Sequence, residues 1–577
     1  MGRRGLPGRP ARPVPGRDLR RANRRGRAGS APVMTPPTLF DRADAQAIRV
    51  PTSCGRNGTC HECVVEVSRG AEALAPPTEA ESFLRGGYRL ACQARVLDPR
   101  REIAFAPLKR RLQIVAEGRR RPVALEPPVR RVGDAVWRDG RPIDAYRGGI
   151  YGLAVDIGTT TVALSLVDLE SGAVRHTSAF ENPQRFGGAD VLHRISYDGG
   201  PFRAELHQAI VRAIDAEIRE LCRQFRVARR LIYEVVAVGN PTMRDLFFGL
   251  DVQSIGQRPF RSTTELALRR GERCTTAIEA SPRPLGLHVN SAATAYGAPL
   301  IGSHVGADAV AGLLAIGMDE LADDDGPIML VDVGTNTEVV VGDAHRIVAA
   351  SCPAGPAFEG GGVRFGMPGC AGAIESVHWR GGRFEWRAIG GARPEGICGS
   401  GLIDLLAEMR RSDRMDRRGV FANGAAEVAL VPEHGITFSR SDVSQLAQAK
   451  AANYAGQLIA LRALGIPPEG LRRVYLAGGF ANRVDVANAI AIGFLPDLPH
   501  DRIVKVGNAA LEGAVMMLLS TQKRAAAERL ARRIEHLELE EEPDFFDVFV
   551  EGCLFQSTRS AARREEVSWS LASSLAR

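Results

Sequence analysis

The sequence predicts an α/β protein with an internally duplicated core behind a small α+β domain. Three observations predict it. Leu153 to Gly172 reads LAVDIGTTTVALSLVDLESG, two apolar runs joined by a turn that carries Asp156 and three threonines. Ile328 to Asp343 reads IMLVDVGTNTEVVVGD, a near copy with Asp332 and Gly334-Thr335-Asn336-Thr337 at the turn. Both are strand–turn–strand hairpins, and two in one chain indicate an internal duplication. Upstream, four of the ten cysteines cluster within a short segment of different composition.

Length and composition bound the rest. The 577 residues suit two to four domains, and the apolar and charged fractions are those of a globular protein. No apolar run approaches the roughly 20 residues that span a bilayer, so no membrane partner is expected. The net charge of +8 is concentrated in residues 1–33, which hold ten arginines and one aspartate. The remainder is close to neutral, so no nucleic-acid-binding body is expected. That segment, rich in Arg, Pro and Gly, cannot bury a core. It has twin arginines but no apolar stretch behind them to make an export signal. It is expected to be a disordered basic tail or sequence ahead of a start at Met34. Six cysteines, from Cys222 to Cys553, are scattered, a usage that fits a reducing cytoplasm.

Residues 34–108 read as the small domain. TLFDRADAQAIRV predicts a short helix running into an extended segment. The loop SCGRNGTCHEC follows, then a strand VVEVSRG, a Pro-bearing turn, a short helix from Glu79 to Leu84, and GYRLACQARV returning as a strand. Cys54, Cys60 and Cys63 have the spacing C-x5-C-x2-C, with Cys92 29 positions after the third. Gly55 and Gly58 fit a tight loop whose N–H groups point at bound sulfurs. Three ligands on one loop and one on a distant strand is the ferredoxin arrangement of a [2Fe-2S] cluster, with one residue more in the first gap than the plant-type spacing. Four thiolates also suit zinc, although zinc sites usually show two C-x2-C pairs and this segment has one. Residues 1–33 contain nothing like the β-hairpin with which such ferredoxins normally open.

Residues 109–150, rich in Arg and Pro, read as a linker that lets the cysteine domain swing, with one short strand over Leu112–Val115. From residue 150 the pattern becomes α/β. The first hairpin leads through FENPQRFGGADVLHRI to a helix, and an amphipathic helix spans about 201–225. YEVVAVGNPTMRDLFFGL reads as strand, turn and helix. Residues 251–300 read as irregular, ending in a helix-like AATAYGAPL, and GADAVAGLLAIGM is an apolar helix. After the second hairpin come SCPAGPAFEGGG and GICGSGLIDLLAEM, the latter opening a helix at a glycine-rich N-terminus, a ready anion site. A helix over 442–464, the buried strand of RRVYLAGGFANR and a final helix in VGNAALEGAVMMLLS complete the core. Residues 556–577 are a tail.

Phosphates need closely approaching N–H groups, which Gly permits, and hydroxyl donors, which Thr supplies. A bridging Mg²⁺ needs one or two carboxylates. Each hairpin tip offers this set. The two copies, followed by an apolar strand into Gly478-Gly479-Phe480, resemble the superfamily of acetate and sugar kinases, Hsp70 and actin. That resemblance implies two ribonuclease-H-like halves, over 151–326 and 327–555, closing on ATP with Mg²⁺. It assigns Asp156, Gly158, Thr159 and Thr160 to the first phosphate loop, Asp332, Gly334, Thr335 and Asn336 to the second, and Gly478, Gly479 and Phe480 to the adenosine loop. No glycine-rich dinucleotide fingerprint follows a strand, which argues against NAD or FAD.

An ATPase of this superfamily behind a ferredoxin domain resembles the reductive activators of corrinoid proteins. The likeness rests on NPQRFGGADVLHRI, VGNPTM, VDVGTNTE, PAGPAFEGGGVRFGM, GICGSGLID, LAGGF and IGFLP. It implies a β-grasp ferredoxin domain whose Cys54, Cys60, Cys63 and Cys92 hold the cluster, with Asp156 and Asp332 holding Mg²⁺ through waters. For orienting the attacking water it points to Asp332, and after it to Glu359. It implies return of a Co(II) corrinoid to Co(I) in a methyltransferase system, an external low-potential electron donor, and room for a homodimer. The sequence departs from the pattern at Pro241, Thr337, Arg56-Asn57 and His61-Glu62. Competing readings are a redox-regulated small-molecule kinase, a non-enzymatic actin-like or chaperone-like module, and a plain ferredoxin carrying an inert nucleotide domain.

Overall fold

The computed structural model describes residues 36–108 and 118–558. Residues 1–35, 109–117 and 559–577, which include the strand expected over Leu112–Val115, lie outside the described residues.

The duplication governs the architecture. In the first half, Tyr151–Ile157, Thr161–Asp168 and Val174–Glu181 form an antiparallel meander, and Ile232–Val238 and Thr294–Gly297 add in parallel beside its first strand. In the second half, Ile328–Val333, Thr337–Gly342 and Ile347–Cys352 form the same meander, flanked in parallel by Arg473–Ala477 and Ile503–Gly507. Strand order and direction therefore repeat over five strands. The sixth strand differs: Ile278–Ala280 lies on the parallel edge of the first sheet, whereas Ile534–His536 lies on the meander edge of the second. The central strands are Val-, Ile- and Leu-rich and buried on both faces, as strands covered by helices require.

Two apolar helices, Ala307–Ile316 and Ala509–Leu519, cross between the sheets. They belong to one buried cluster with residues of both sheets. Gly513 makes the crossing possible, because a Cβ there would fall 1.9 Å from the Ala311 carbonyl oxygen. The helix of the final sequence motif thus serves the first half as well as its own.

The small domain has the helix Leu39–Ala45, closed at its start by a Thr38–Asp41 capping box, and a three-stranded sheet of Tyr88–Leu90, Val64–Arg69 and Ala104–Pro107. The expected helix over 79–84 is a single turn, Glu79–Glu81. The return strand of GYRLACQARV is only Tyr88–Leu90. It then turns, with Gln93 N–H and Ala94 N–H both donating to the Leu90 carbonyl (2.8 and 2.9 Å), which places Cys92. Glu81 and Arg89 form a buried bidentate pair, with Leu90 N–H also donating to Glu81 (3.0 Å), which pins this turn.

Two expectations are corrected. Residues 129–145 are not a plain linker. Val129–Val132, Ala135–Arg138 and Arg141–Ala145 form an antiparallel three-stranded sheet. The exposed Arg130, Arg131 and Arg141 hid the pattern, while Val129 and Val136 are fully buried and Arg138 reaches inward to the buried Glu234. Asp139-Gly140, both at positive φ, is the turn of the second hairpin. AATAYG is a strand rather than a helix: Thr294–Gly297 runs parallel to Ile232–Val238. A short apolar run has no period long enough to distinguish the two.

The cysteine domain also does not hang free. It packs on the first half, and the two share one buried cluster. Tyr197 OH donates to the Phe83 carbonyl (2.6 Å), Arg212 donates to the Cys60 carbonyl (2.6 Å), and Arg185 donates to Glu66. His61 stacks on Phe83 and bonds Glu205 (3.0 Å) across the interface.

Candidate functional sites

The loop 51–60 carries the first thiols. Gly55 and Gly58 take positive φ (67° and 88°), as does Arg56, so successive N–H groups turn inward. The thiols stand as two pairs: Cys63 Sγ lies 3.4 Å from Cys92 Sγ, and Cys54 is hydrogen-bonded by Cys60. Thr52 Oγ1 lies between Cys54 and Cys60, 3.8 and 3.9 Å from their sulfurs. Burial pushes the Cys54 thiol up, but hydrogen bonds from Cys60 and from the Asn57 and Thr59 N–H groups outweigh it and bring it down to about 5. Cys92 is brought down to about 6, first by the bond from Cys63, with Gln93 and the Gly58 N–H adding to it against burial. Cys63, the donor to Cys92, is pushed up by that bond and by burial. The loop therefore stabilises negative sulfur before any metal arrives, and the two-and-two pairing matches two irons that each take two thiolates. No group of three or more His, Cys, Asp or Glu side chains among the described residues surrounds a single point.

The second site lies between the two hairpin tips, in a cleft open to solvent that encloses about 890 Å³ with its mouth included. Asp156, Gly158, Thr159 and Thr160 line one side, Asp332, Gly334, Thr335 and Asn336 the other, and Gly478 and Gly479 close it. Gly478, at φ 117°, passes so close to Val333 that a Cβ would fall 2.2 Å from its carbonyl oxygen. Phe480 stands apart from this lining. Its ring packs toward Phe358, 6.4 Å between centroids.

The two tips are joined through Glu359. Thr160 Oγ1 and Thr335 Oγ1 both donate to Glu359 Oε2, and the two hydroxyls are 2.8 Å apart. Asn240 Nδ2 donates to Thr159 Oγ1 (3.0 Å) and Asn508 Nδ2 to Asp156 Oδ2 (2.7 Å). Both asparagines also cap helices, through Met243 N–H and Leu511 N–H. Pro241 fits the first position of its helix, where its missing N–H costs nothing.

Electrostatics here are the reverse of those in the cysteine loop. Burial pushes Asp156 up to about 7, against the Asn508 bond and with help from Asp308. Burial, then the charges of Asp308, Asp156 and Glu359, push Asp332 up to about 8. Burial lifts Asp308 to about 6 and raises Glu338 and Glu359. Five carboxyls converge on one cavity with no Lys or Arg in its lining. Such a set is costly unless a cation enters, and its hydroxyls and glycine N–H groups suit the anion that accompanies that cation.

The structure brings together every expected pocket residue except Phe480. Asn240, Asp308, Glu338 and Asn508 were not singled out from sequence. Two of them carried a signal: the tripeptide Val-Gly-Asn occurs at 238–240 and at 506–508, each time where a strand ends and a helix begins.

Comparisons with known proteins agree across the chain. Residues 24–97 match the 2Fe-2S iron-sulfur cluster binding domain, 151–321 the RACo middle region, and 326–565 the C-terminal ASKHA domain of RACo. The chain is 32% identical over 432 residues to the corrinoid activation enzyme RamQ of Eubacterium limosum, covering 70% of each protein. It is 26% identical over 412 residues to the [Co(II) methylated amine-specific corrinoid protein] reductase of Methanosarcina barkeri, covering 67% of this chain and 74% of that one. A solved reductive activator for corrinoid, iron-sulfur protein superposes with a TM-score of 0.68 at 30% identity, over 90% of this chain and 96% of that one. No helix among the described residues is long and apolar enough to cross a membrane.

Proposed function

The chain belongs to the family of reductive activators of corrinoid proteins, and from that premise we propose that it is an ATP-driven one-electron reductant of a Co(II) corrinoid protein. The observation that carries this reading is the presence, in one chain, of paired thiols on an N–H-lined loop and of a carboxylate-and-hydroxyl cavity between two duplicated hairpins. Cys54, Cys60, Cys63 and Cys92 would hold the [2Fe-2S] cluster, and the lowered Cys54 and Cys92 thiols fit that load. When bound, the cluster supplies one electron at low potential, which returns an inactive Co(II) corrinoid of a methyltransferase system to Co(I).

The nucleotide supplies the driving force in this reading. Plant-type clusters lie near −400 mV, and the Co(II)/Co(I) couple is expected to lie lower. A one-electron gap of about 100 mV costs roughly 2.3 kcal/mol. The N–H and hydroxyl groups of Gly158, Thr159 and Thr160, and of Gly334, Thr335 and Asn336, receive the phosphates. Gly478 and Gly479 receive the adenosine, with Phe480 supporting that loop from outside. Asp156 and Asp332 hold Mg²⁺ through its waters. Asp332, which lines the cavity beside Asp156, orients the attacking water. Closure of the two tips on the phosphates would drive the conformational change that makes the transfer favourable.

The test mixes cluster-loaded protein, a low-potential reductant and candidate Co(II) corrinoid proteins, and follows the cobalt absorbance. Co(I) forms with MgATP and one matching partner, and does not form without ATP. Equal reduction without ATP, or phosphoryl transfer to a sugar or carboxylate, would overturn the reading.

A further inference from the structure

We propose that the turn Pro183–Gly187, with Asn182 ahead of it, makes nucleotide binding and docking of the cysteine domain a single linked equilibrium, in which nucleotide loosens the dock. The inference rests on the nucleotide reading of the hairpin cavity.

Asn182 grips the first phosphate loop from behind. Its N–H donates to the Thr160 carbonyl (2.7 Å) and its Nδ2 to the Gly158 carbonyl (2.8 Å). The Gly158 carbonyl shares a rigid peptide plane with the N–H of Thr159, one of the phosphate-binding groups, and the Thr160 carbonyl with the N–H of Thr161, which also lines the cavity. A phosphate that draws those N–H groups toward itself tilts the same planes and moves the carbonyls that Asn182 holds.

Three residues on, the same turn grips the cysteine domain. Arg185 donates to Glu66 on the strand Val64–Arg69, and the Phe186 ring meets the Phe83 ring edge-on (5.7 Å). The turn between is stiff. Pro183 opens it, Asn182 Oδ1 accepts from Gln184 N–H (2.9 Å), and the buried Gln184 donates to the Leu206 carbonyl (3.1 Å). A shift at Asn182 is therefore carried to Arg185 and Phe186 rather than absorbed. Docking covers His61 and Glu62, next to Cys60 and Cys63, so loosening the dock uncovers that side of the cysteine loop.

Linkage is reciprocal: whatever factor nucleotide applies to docking, docking applies to nucleotide affinity. The dock can thus be weakened at its own interface, away from the cavity. Two variants do so independently: Glu66→Gln removes the charge that Arg185 meets across the dock, leaving it paired with Glu181 on its own side (3.2 Å), and Tyr197→Phe removes the donor to Phe83. The experiment uses the cluster-loaded full chain and a non-hydrolysable ATP analogue with Mg²⁺. Calorimetry gives the analogue Kd, and amide hydrogen exchange reports on residues 61–66 and 83–90. Wild type is expected to bind the analogue with raised exchange in both segments. Each variant is expected to bind it about threefold more tightly, a change of about 0.65 kcal/mol in coupling. Analogue binding with unchanged interface exchange, and with both single variants at or above the wild-type Kd, overturns the inference alone. No binding of the analogue by wild type overturns the nucleotide reading, and this inference with it.

Discussion

The cysteine loop and the hairpin cavity both receive a charged group, and they prepare for it in opposite ways. The cysteine site neutralises in advance: Cys60 and the N–H groups of Asn57 and Thr59 bring Cys54 down to about 5, and the Cys63 thiol, with Gln93 and the Gly58 N–H, brings Cys92 down to about 6. The cavity leaves its charge unanswered: burial and mutual repulsion hold Asp156 at about 7 and Asp332 at about 8. The difference follows from permanence. A resident cluster is served by a site stable without exchange, whereas a nucleotide that must come and go is served by a site whose cation is missing until substrate brings it.

The strongest way to break the comparison is to remove a ligand from each side. Cys60→Ser is expected to abolish the visible absorbance of the cluster while nucleotide binding persists. Loss of both would show that the two sites are one folding unit. Asp332→Asn is expected to do the reverse, keeping the cluster spectrum and lowering MgATP hydrolysis by roughly 10²–10³, the usual effect of deleting one preorganised electrostatic group. Phosphate-release kinetics would measure it, and undiminished hydrolysis would remove Asp332 from its assigned role.

A smaller effect is the response to pH. Asp156 and Asp332 have folded-state values above the ordinary 3.8, so between about pH 4 and pH 8 the folded chain keeps protons that the unfolded chain has released. Their contribution to stability is present below pH 4 and is lost as pH rises through the folded values. The nucleotide-free Tm should therefore fall from pH 5 to pH 8, and Asp332→Asn should flatten the slope. A Tm that rises across this window in wild type and is unaffected by the substitution would show that both carboxyls are already ionised. The smallest expected change is that of Asn508→Ala. It removes a helix cap worth about 1 kcal/mol and frees Asp156 to rise further, so denaturant unfolding should shift by about that amount.

The contrast also explains what could be read from the chain. The cysteine site was legible because its ligands are local: three of four sit within ten residues, at a spacing set by one loop. The hairpin tips were legible because the duplication printed Asp-x-Gly-Thr twice. Asp308 and Glu338 were not, because each is one acidic residue on an apolar helix or strand and only the crossing of the sheets makes it face the cavity. Asn240 and Asn508 fell between, marked by a repeated tripeptide too short to weigh without the fold. The sheet at 129–145 was hidden by arginines on its outward faces, although Asp139-Gly140 is a strong hairpin signal. The docking of the cysteine domain was not legible, since it rests on pairs such as His61–Glu205, 144 positions apart.

The central claim is that the electron leaves the cysteine site only when the hairpin cavity is engaged. Reduced [2Fe-2S] clusters and Co(II) corrinoids each carry one unpaired spin, so freeze-quench electron paramagnetic resonance can follow donor and acceptor in one sample without external reductant. With MgATP, the two signals are predicted to disappear together, one spin for one spin, and without ATP both are predicted to persist. Loss of both signals at the same rate without ATP, or ATP-dependent loss of the cobalt signal alone, would contradict the account.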